Sequence, residues 1–175
     1  LDVGTVFLGP ALSDTQTRRR LDQDVAGCGV PVRPLVRGDI LQGGAGMALQ
    51  VLYPPRPSPP GLDPNDLSLV LRAQLGNVAF LFTGDAGARA ERLMLAEYGN
   101  QGELQAQVLK VAHHASSSAT TSEFLASVRP RVALVSVGQD NRYGHPSPLV
   151  MKRLEESGAK TWTTSEHGTV ELRTD

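Results

Sequence analysis

Residues 108–118 read VLKVAHHASSS, a short apolar run that ends in two adjacent histidines and three serines. Four apolar residues around one lysine are typical of a buried strand. A histidine pair after such a strand is often only a hydrogen-bonded loop, and a Gly-Asp pair is often an ordinary turn. However, residues 78–85, VAFLFTGD, repeat the arrangement with a carboxylate behind a glycine. An aspartate and a histidine at the ends of successive strands provide ligands that divalent metals take.

The second half of the chain alternates strand and helix patterns. Residues 132–137 form a third apolar strand, followed by the polar loop GQDNRYGH at 138–145. Open α/β sheets bind ligands at the carboxyl ends of their strands. We therefore expect Asp85, His113 or His114, and His145 to converge. Helices are predicted over 87–98, after a capping box at 120–123 and over 148–157, and closing strands over 159–164 and 169–173.

The first half predicts short strands separated by turns and one exposed loop. A strand over 3–8 precedes a helix capped by Ser13 or Asp14. The glycines of 43–46 lack the Lys-Ser/Thr of a phosphate-binding loop and predict a hairpin turn. Six of the eleven residues of 54–64 are proline, which excludes pairing in a sheet. Strands over 67–75 and 78–83 form a hairpin, and the apolar second strand predicts cover on both faces.

The composition is that of an ordinary globular domain. The chain has 175 residues, 40% of them hydrophobic and 20% charged, with a net charge of −1. This charge argues against a generic nucleic-acid-binding surface, which needs clustered lysine and arginine. The single cysteine, Cys28, excludes an internal disulfide and a Cys-x-x-Cys zinc site. Without an initiator methionine or a signal-peptide pattern, the chain is expected to be a fragment that begins upstream.

Four blocks together resemble one known family, the metallo-β-lactamase-like domain of ComEC competence proteins. They are NDLSLVL (65–71), FTGD (82–85), LKVAHHAS (109–116) and NRYGHP (141–146). The resemblance covers nearly the whole chain. It implies an α/β fold, an αββα metallo-β-lactamase-like sandwich, of which residues 1–175 form a single domain truncated at its N-terminus.

The resemblance also implies roles for individual residues. Asp85, His114 and Asp66 are expected to bind two divalent metal ions, zinc or manganese. His145 is expected beside the scissile phosphate, with His113 as a second catalytic residue or an alternative ligand. Residues expected to bind substrate are Asn65, Ser116, Asn141 and Arg142.

The chain departs from the family pattern at three places. The main metal motif of the superfamily, His-x-His-x-Asp-His, is absent, since the histidines are only 113, 114, 145 and 167. Ala115 replaces a glycine that is common after the histidine pair, and Ser147 stands where a second histidine often follows His-Pro. With one aspartate and one histidine, the chain as given is expected to hold too few ligands for two metals.

The function implied is metal-assisted hydrolysis of DNA during uptake in natural transformation. The partners implied are DNA and the membrane channel part of the same protein, with no small-molecule cofactor; the oligomeric state stays open. The domain would be soluble and lie outside the bilayer of a bacterial inner-membrane protein. Two alternatives are a catalytically empty scaffold or DNA guide on the same channel, and a metallo-hydrolase of a small ester or cyclic nucleotide.

Overall fold

The structure is a computed structural model that describes residues 2–10, 16–99 and 101–173. The strands in these ranges are β1 (Val6–Leu8), β2 (Val32–Pro34), β3 (Ile40–Gln42), β4 (Ala48–Tyr53), β5 (Val70–Leu75), β6 (Val78–Phe82), β7 (Val108–Lys110), β8 (Val132–Val135) and β9 (Lys160–Thr163). The α-helices are α1 (Gln16–Gly27), α2 (Ala88–Tyr98), α3 (Ser122–Val128), α4 (Pro148–Glu156) and α5 (Thr164–His167). The predicted caps of α1, Ser13 and Asp14, lie outside the described residues.

Seven strands form one mixed sheet in the order β3-β4-β5-β6-β7-β8-β9. Neighbours from β3 to β6 are antiparallel, and those from β6 to β9 are parallel. The α/β fold class is thereby confirmed, as are the β5–β6 hairpin and the glycine turn between β3 and β4. A separate parallel pair joins β1 and β2. None of the described helices is long and apolar enough to cross a bilayer.

The helices cover one face of the central strands. Buried side chains of α2, α3 and α4 form one apolar cluster with Leu81, Leu109 and Ala133. Because side chains alternate along a strand, Phe80 and Phe82 point to the opposite face. There Phe82 is 42% exposed. The prediction that β6 is covered on both faces is therefore wrong for the described residues. An apolar sequence indicates that a strand favours burial, but it does not show which part of the chain would cover it.

The predicted strand over 169–173 is also wrong, since these residues form no strand. Instead, α5 follows β9 directly. The hydroxyl group of Thr164 donates to the carbonyl oxygen of Val137 and accepts from its N–H, both at 2.8 Å. These two hydrogen bonds attach the end of β9 to the loop after β8, so the chain does not turn back into a hairpin.

Candidate functional site at the strand ends

The parallel strands β6, β7 and β8 bring three polar loops to the same edge of the sheet. Asp85 follows β6, the histidine pair follows β7, and His145 lies in the loop between β8 and α4. The Asp85 Oδ1 and His114 Nε2 atoms are 3.9 Å apart. The ring centroids of His113 and His145 are 5.9 Å apart. The prediction was that Asp85, His113 or His114, and His145 converge; the structure brings them together, with both histidines of the pair in the group.

Gly84 sets the position of Asp85. Its φ of +54° lies in the left-handed region, and an added Cβ would lie 2.9 Å from the Cβ of Ser68. The Asp85 N–H donates to the Ser68 hydroxyl group at 3.1 Å. The chain can therefore turn and bring the carboxylate to the edge only because residue 84 has no side chain.

The histidine pair lies on a strained segment of backbone. His113, His114 and Ala115 have φ values of +45°, +54° and +63°. A residue other than glycine in this region costs about 1–3 kcal/mol, and such residues cluster at functional sites. The segment is held at both ends: the His113 N–H donates to the Gly84 carbonyl at 3.0 Å, and the Ser147 N–H donates to the Ala115 carbonyl at 2.9 Å. A glycine at position 115 would adopt this conformation without that cost.

His114 is oriented by a backbone carbonyl. Its Nδ1 atom lies 2.6 Å from the Ser136 carbonyl oxygen. Since a carbonyl oxygen only accepts, Nδ1 carries a proton, and in the neutral ring Nε2 presents its lone pair. Nε2 faces the Asp85 carboxylate at 3.9 Å, so two acceptors meet across a gap. Such a pair of acceptors attracts a cation.

His145 belongs to a loop that one side chain organises. The Asn141 carbonyl oxygen Oδ1 accepts from the His145 N–H at 2.9 Å and from the Tyr143 N–H at 3.2 Å. The Asn141 Nδ2 atom donates to the carbonyl oxygens of Gly138 and His145. Burial lowers the pKa of His145 below its ordinary value of 6.5, and positive charge on His113 and His114 lowers it further.

Two open clefts flank the row of histidines. The first, which we call the carboxylate cavity, has a volume of about 430 Å³ and is lined by Asp63, Asn65, Asp66, Asp85, Gly87, Ala88, Arg89, His113 and Ser118. The second, which we call the tyrosine cavity, has a volume of about 390 Å³ and is lined by His114, Ser136, Val137, Gly138, Asn141, Tyr143, His145 and Thr164. The site is thus charged on one side of the histidines and nearly uncharged on the other.

The remaining predicted site residues are more scattered. Asp66 is buried, and its Oδ1 atom accepts from the Gly87 N–H at 3.1 Å. Asn65 lines the same carboxylate cavity. Ser116 is buried, with its hydroxyl oxygen 3.0 Å from that of Ser118, and Arg142 is exposed; neither lines either cavity.

The donors present fit a metal ion in kind but not in number. Zinc binds nitrogen and oxygen at about 2.0–2.2 Å in a tetrahedral arrangement, so two ligands of one ion lie about 3.3–3.6 Å apart. The Asp85–His114 separation of 3.9 Å is slightly longer than this range. Within the described residues, moreover, no group of three or more histidine, cysteine, aspartate or glutamate side chains is arranged to hold an ion. The described residues therefore do not complete a metal centre.

Glu91 was missed by sequence reasoning. Its side chain is 1% exposed, and its carboxylate accepts from the N–H groups of Thr120 and Thr121 and from the Thr121 hydroxyl group. Burial raises its pKa, and these hydrogen bonds oppose that rise. The available signal was an acidic residue on the apolar face of α2, three residues before the buried Met94. Glu91 ties α2 to the loop that follows the histidine pair.

Lys110 was also missed. It is half-buried, and its Nζ atom donates to the Val111 carbonyl at 3.0 Å. Burial lowers its pKa below 10.5, while the negative charge of Asp85 raises it. A lysine inside an apolar strand next to the histidines was the available signal. It places one positive charge close enough to Asp85 to interact with its carboxylate.

The chain has homologues among competence proteins, which confirms that part of the resemblance. It is 34% identical over 145 residues to ComE operon protein 3 of Bacillus subtilis (83% of this chain, 18% of that protein). It is 37% identical over 111 residues to competence protein ComA of Neisseria gonorrhoeae (63% and 16%), and 33% identical over 108 residues to recombination protein 2 of Haemophilus influenzae (62% and 13%). No family model matches the chain. The chain therefore spans less than a fifth of each relative.

Proposed function

We propose that this chain is a DNA-processing domain of a competence-type uptake system and that the strand-end site hydrolyses phosphodiesters. The observation that carries this proposal is the convergence of Asp85 with the imidazoles of His113, His114 and His145. Carboxylate and imidazole groups at one edge are the donors that acid–base and metal-assisted hydrolysis need. The names of the homologues supply the setting, which is competence.

The fold that we propose for the complete domain is the αββα sandwich. Two features support it: the β1–β2 pair is a second sheet, and the face of the main sheet that carries Phe82 is not fully covered. A larger second sheet on this face would bury Phe82 and place the strand-end site between the two sheets.

His145 is the residue that we assign to the leaving group. Because its pKa is lowered, its ring is neutral at neutral pH in the free protein. A phosphodiester bound beside it brings negative charge, which favours the protonated ring. In hydrolysis the water oxygen then bonds to phosphorus and the water releases one proton to solvent, while the P–O bond to the leaving group breaks and His145 gives its proton to the departing oxygen. His113, 5.9 Å away between ring centroids, lies within reach of the same phosphate.

The metal dependence that we propose requires ligands from outside the described residues. A divalent zinc or manganese ion would lower the pKa of the attacking water and neutralise charge on the phosphate. Asp85 and His114 supply two donors, and Asp66 lines the adjoining cavity. We propose that a further segment of the protein supplies the remaining ligands.

Comparing two lengths of chain tests this proposal. A version that begins upstream is expected to cleave single-stranded DNA with manganese or zinc, whereas the 175-residue chain is expected to be inactive. Asp85→Ala should abolish cleavage in the longer version. Asp22→Ala, which removes a carboxylate on α1 that pairs with Arg18, should leave it unchanged. A longer version that binds no metal and cleaves no DNA would contradict the nuclease proposal.

A non-catalytic DNA guide is the second candidate, favoured by the shortage of metal ligands in the described residues. It predicts DNA binding without cleavage in every version of the chain. A metallo-hydrolase of small esters or cyclic nucleotides is less well supported, because both clefts beside the histidines are open and not narrow.

A further inference from the structure

Tyr143 is exposed to an unusual degree at the mouth of the tyrosine cavity. Its side chain is 82% exposed, the largest value among the exposed large hydrophobic residues of the described chain. Tyrosine normally buries much of its ring, so a ring this exposed is accessible for contact with another molecule. Its position in the wall of a cleft that also contains His114 and His145 places it at the candidate site.

The backbone that carries this ring is held by hydrogen bonds, although the ring itself is exposed. Asn141 accepts from the N–H groups of both Tyr143 and His145, and its amide nitrogen donates to two carbonyl groups of the same loop. The Tyr143 and His145 rings lie 6.0 Å apart between centroids and are within 21° of parallel. Since the side chain is so exposed, the ring face away from His145 is open to solvent. Tyr143 thus presents a flat aromatic surface to solvent from an ordered loop.

The chemistry of the tyrosine cavity differs from that of the carboxylate cavity. Among the described residues that line it, His114, His145 and Tyr143 are the only ones with ionisable side chains, whereas three aspartates and an arginine line the other cleft. The lining of the tyrosine cavity therefore offers little charge to balance a phosphate group inside it. A neutral planar ring with a polar edge fits it better.

We propose that the tyrosine cavity binds a nucleobase, which stacks on Tyr143 while the adjoining phosphate lies beside His145. This inference rests on the proposed DNA substrate and specifies how it is held. Base stacking on an aromatic ring is sequence-tolerant because every base has a π-face. A base can reach the ring only when it is not stacked in a duplex, so the site prefers single-stranded DNA.

Equilibrium binding in EDTA tests the proposal without cleavage and without a metal. The probes are a fluorescent oligothymidylate and an abasic oligomer of the same length, measured by anisotropy on the 175-residue chain. Tyr143→Ala should raise the Kd for oligothymidylate about 5- to 150-fold, the range expected for one stacked base. Tyr143→Phe keeps the ring and should change this Kd less than about twofold, well below the effect of one stacked base.

The controls separate stacking from other effects. The abasic oligomer should bind the wild-type chain and Tyr143→Ala equally. Phe7→Ala removes an exposed aromatic ring from β1 that lines neither cavity and should have no effect on binding. The exposure of Tyr143 means that its substitution leaves folding intact, which circular dichroism checks.

The outcomes distinguish this inference from the proposed hydrolysis. Equal binding by the wild-type chain and Tyr143→Ala, or no binding of oligothymidylate by the wild type, overturns the nucleobase site. If Tyr143-dependent binding is found but a longer version never cleaves DNA, the nucleobase site stands and the hydrolysis proposal fails. If a longer version cleaves DNA but Tyr143→Ala does not change binding, the hydrolysis proposal stands and the nucleobase site fails.

Discussion

At the scale of single residues, Gly84 is the position at which sequence and geometry agree most directly. A glycine before Asp85 permits a sharp turn, and its φ of +54° shows that the backbone makes one. The steric reason could not be read from the sequence, because Ser68, which an added Cβ would meet, is sixteen positions away.

Gly84→Ala is expected to destabilise the fold more than Gly76→Ala. Both glycines have a φ of +54°, but an added Cβ at residue 76 meets nothing within 4 Å, whereas at residue 84 it meets Ser68. The two substitutions therefore impose the same backbone strain. The clash with Ser68 should make the loss of unfolding free energy about 1–3 kcal/mol larger for Gly84→Ala than for Gly76→Ala. Urea unfolding measures both. Equal losses would mean that Ser68 moves aside without cost.

His145 is expected to titrate below 6.5 in the folded chain. Its burial and its two histidine neighbours disfavour the charged ring, so protons bind less tightly than in the unfolded chain. By linkage, this group makes stability fall as the pH drops through 6.5 towards the folded pKa. NMR titration of the ring measures the pKa.

Substituting a neighbour separates the two causes. His113→Gln should raise the pKa of His145 only part of the way back, since burial is the larger cause. His167→Gln, whose ring contacts Trp162, should leave it unchanged. A pKa at or above 6.5 in the unsubstituted chain would contradict the expected environment.

At the scale of elements, the start of α3 shows what sequence reasoning can and cannot reach. A capping box beginning at Thr120 was predicted; the helix was found, but its N-cap is Thr121, whose hydroxyl accepts from the Phe124 N–H at 3.3 Å. The reason is Glu91, on a different helix. It binds the Thr120 N–H and the Thr121 hydroxyl group. Local patterns predicted the element, whereas its register depended on a contact distant in sequence.

Glu91→Gln is expected to lower the stability at neutral pH by about 1–3 kcal/mol. The carboxylate accepts three hydrogen bonds, and an amide nitrogen in place of one oxygen would turn a donor towards a donor. Glu155→Gln, on an exposed position of α4, serves as the control. Urea unfolding measures the loss, and an unchanged midpoint would show that the tie between α2 and the loop contributes nothing.

The same variant should remove a pH dependence. Because the pKa of Glu91 is raised in the folded chain, the folded state binds its proton more tightly than the unfolded state. The stability that tighter proton binding by Glu91 contributes is therefore fully present below pH 4.5. It is lost as the pH rises through the pKa of Glu91 in the folded chain. Glu91→Gln should flatten the stability profile above 4.5, and a profile with the wild-type slope would assign that slope to other groups.

At the scale of the whole molecule, the sequence predicted the alternation of strands and helices and the shared edge of the site. It did so because parallel strands joined by helices must end at the same edge. The sequence could not show what covers the second face of the sheet. Nor could it reveal Tyr143 as a surface, because a tyrosine between an arginine and a glycine carries no pattern that distinguishes a core position from an exposed one.

The face of β5 and β6 that lies away from the helices should make this chain self-associate. Phe82 is 42% and Leu75 36% exposed, and Leu71 pairs with Phe82 across the two strands, so apolar side chains adjoin one another. A contiguous exposed apolar patch favours association, whereas scattered single residues do not. Phe82→Thr should therefore shift sedimentation towards the monomer and lower the fluorescence of a bound hydrophobic dye. Tyr143→Thr, which removes a more exposed but isolated ring, should change neither the sedimentation nor the dye fluorescence.

A wild-type chain that stays monomeric and binds no dye would mean that this face is closed in solution. A longer version in which a second sheet covers it should behave like Phe82→Thr without any substitution.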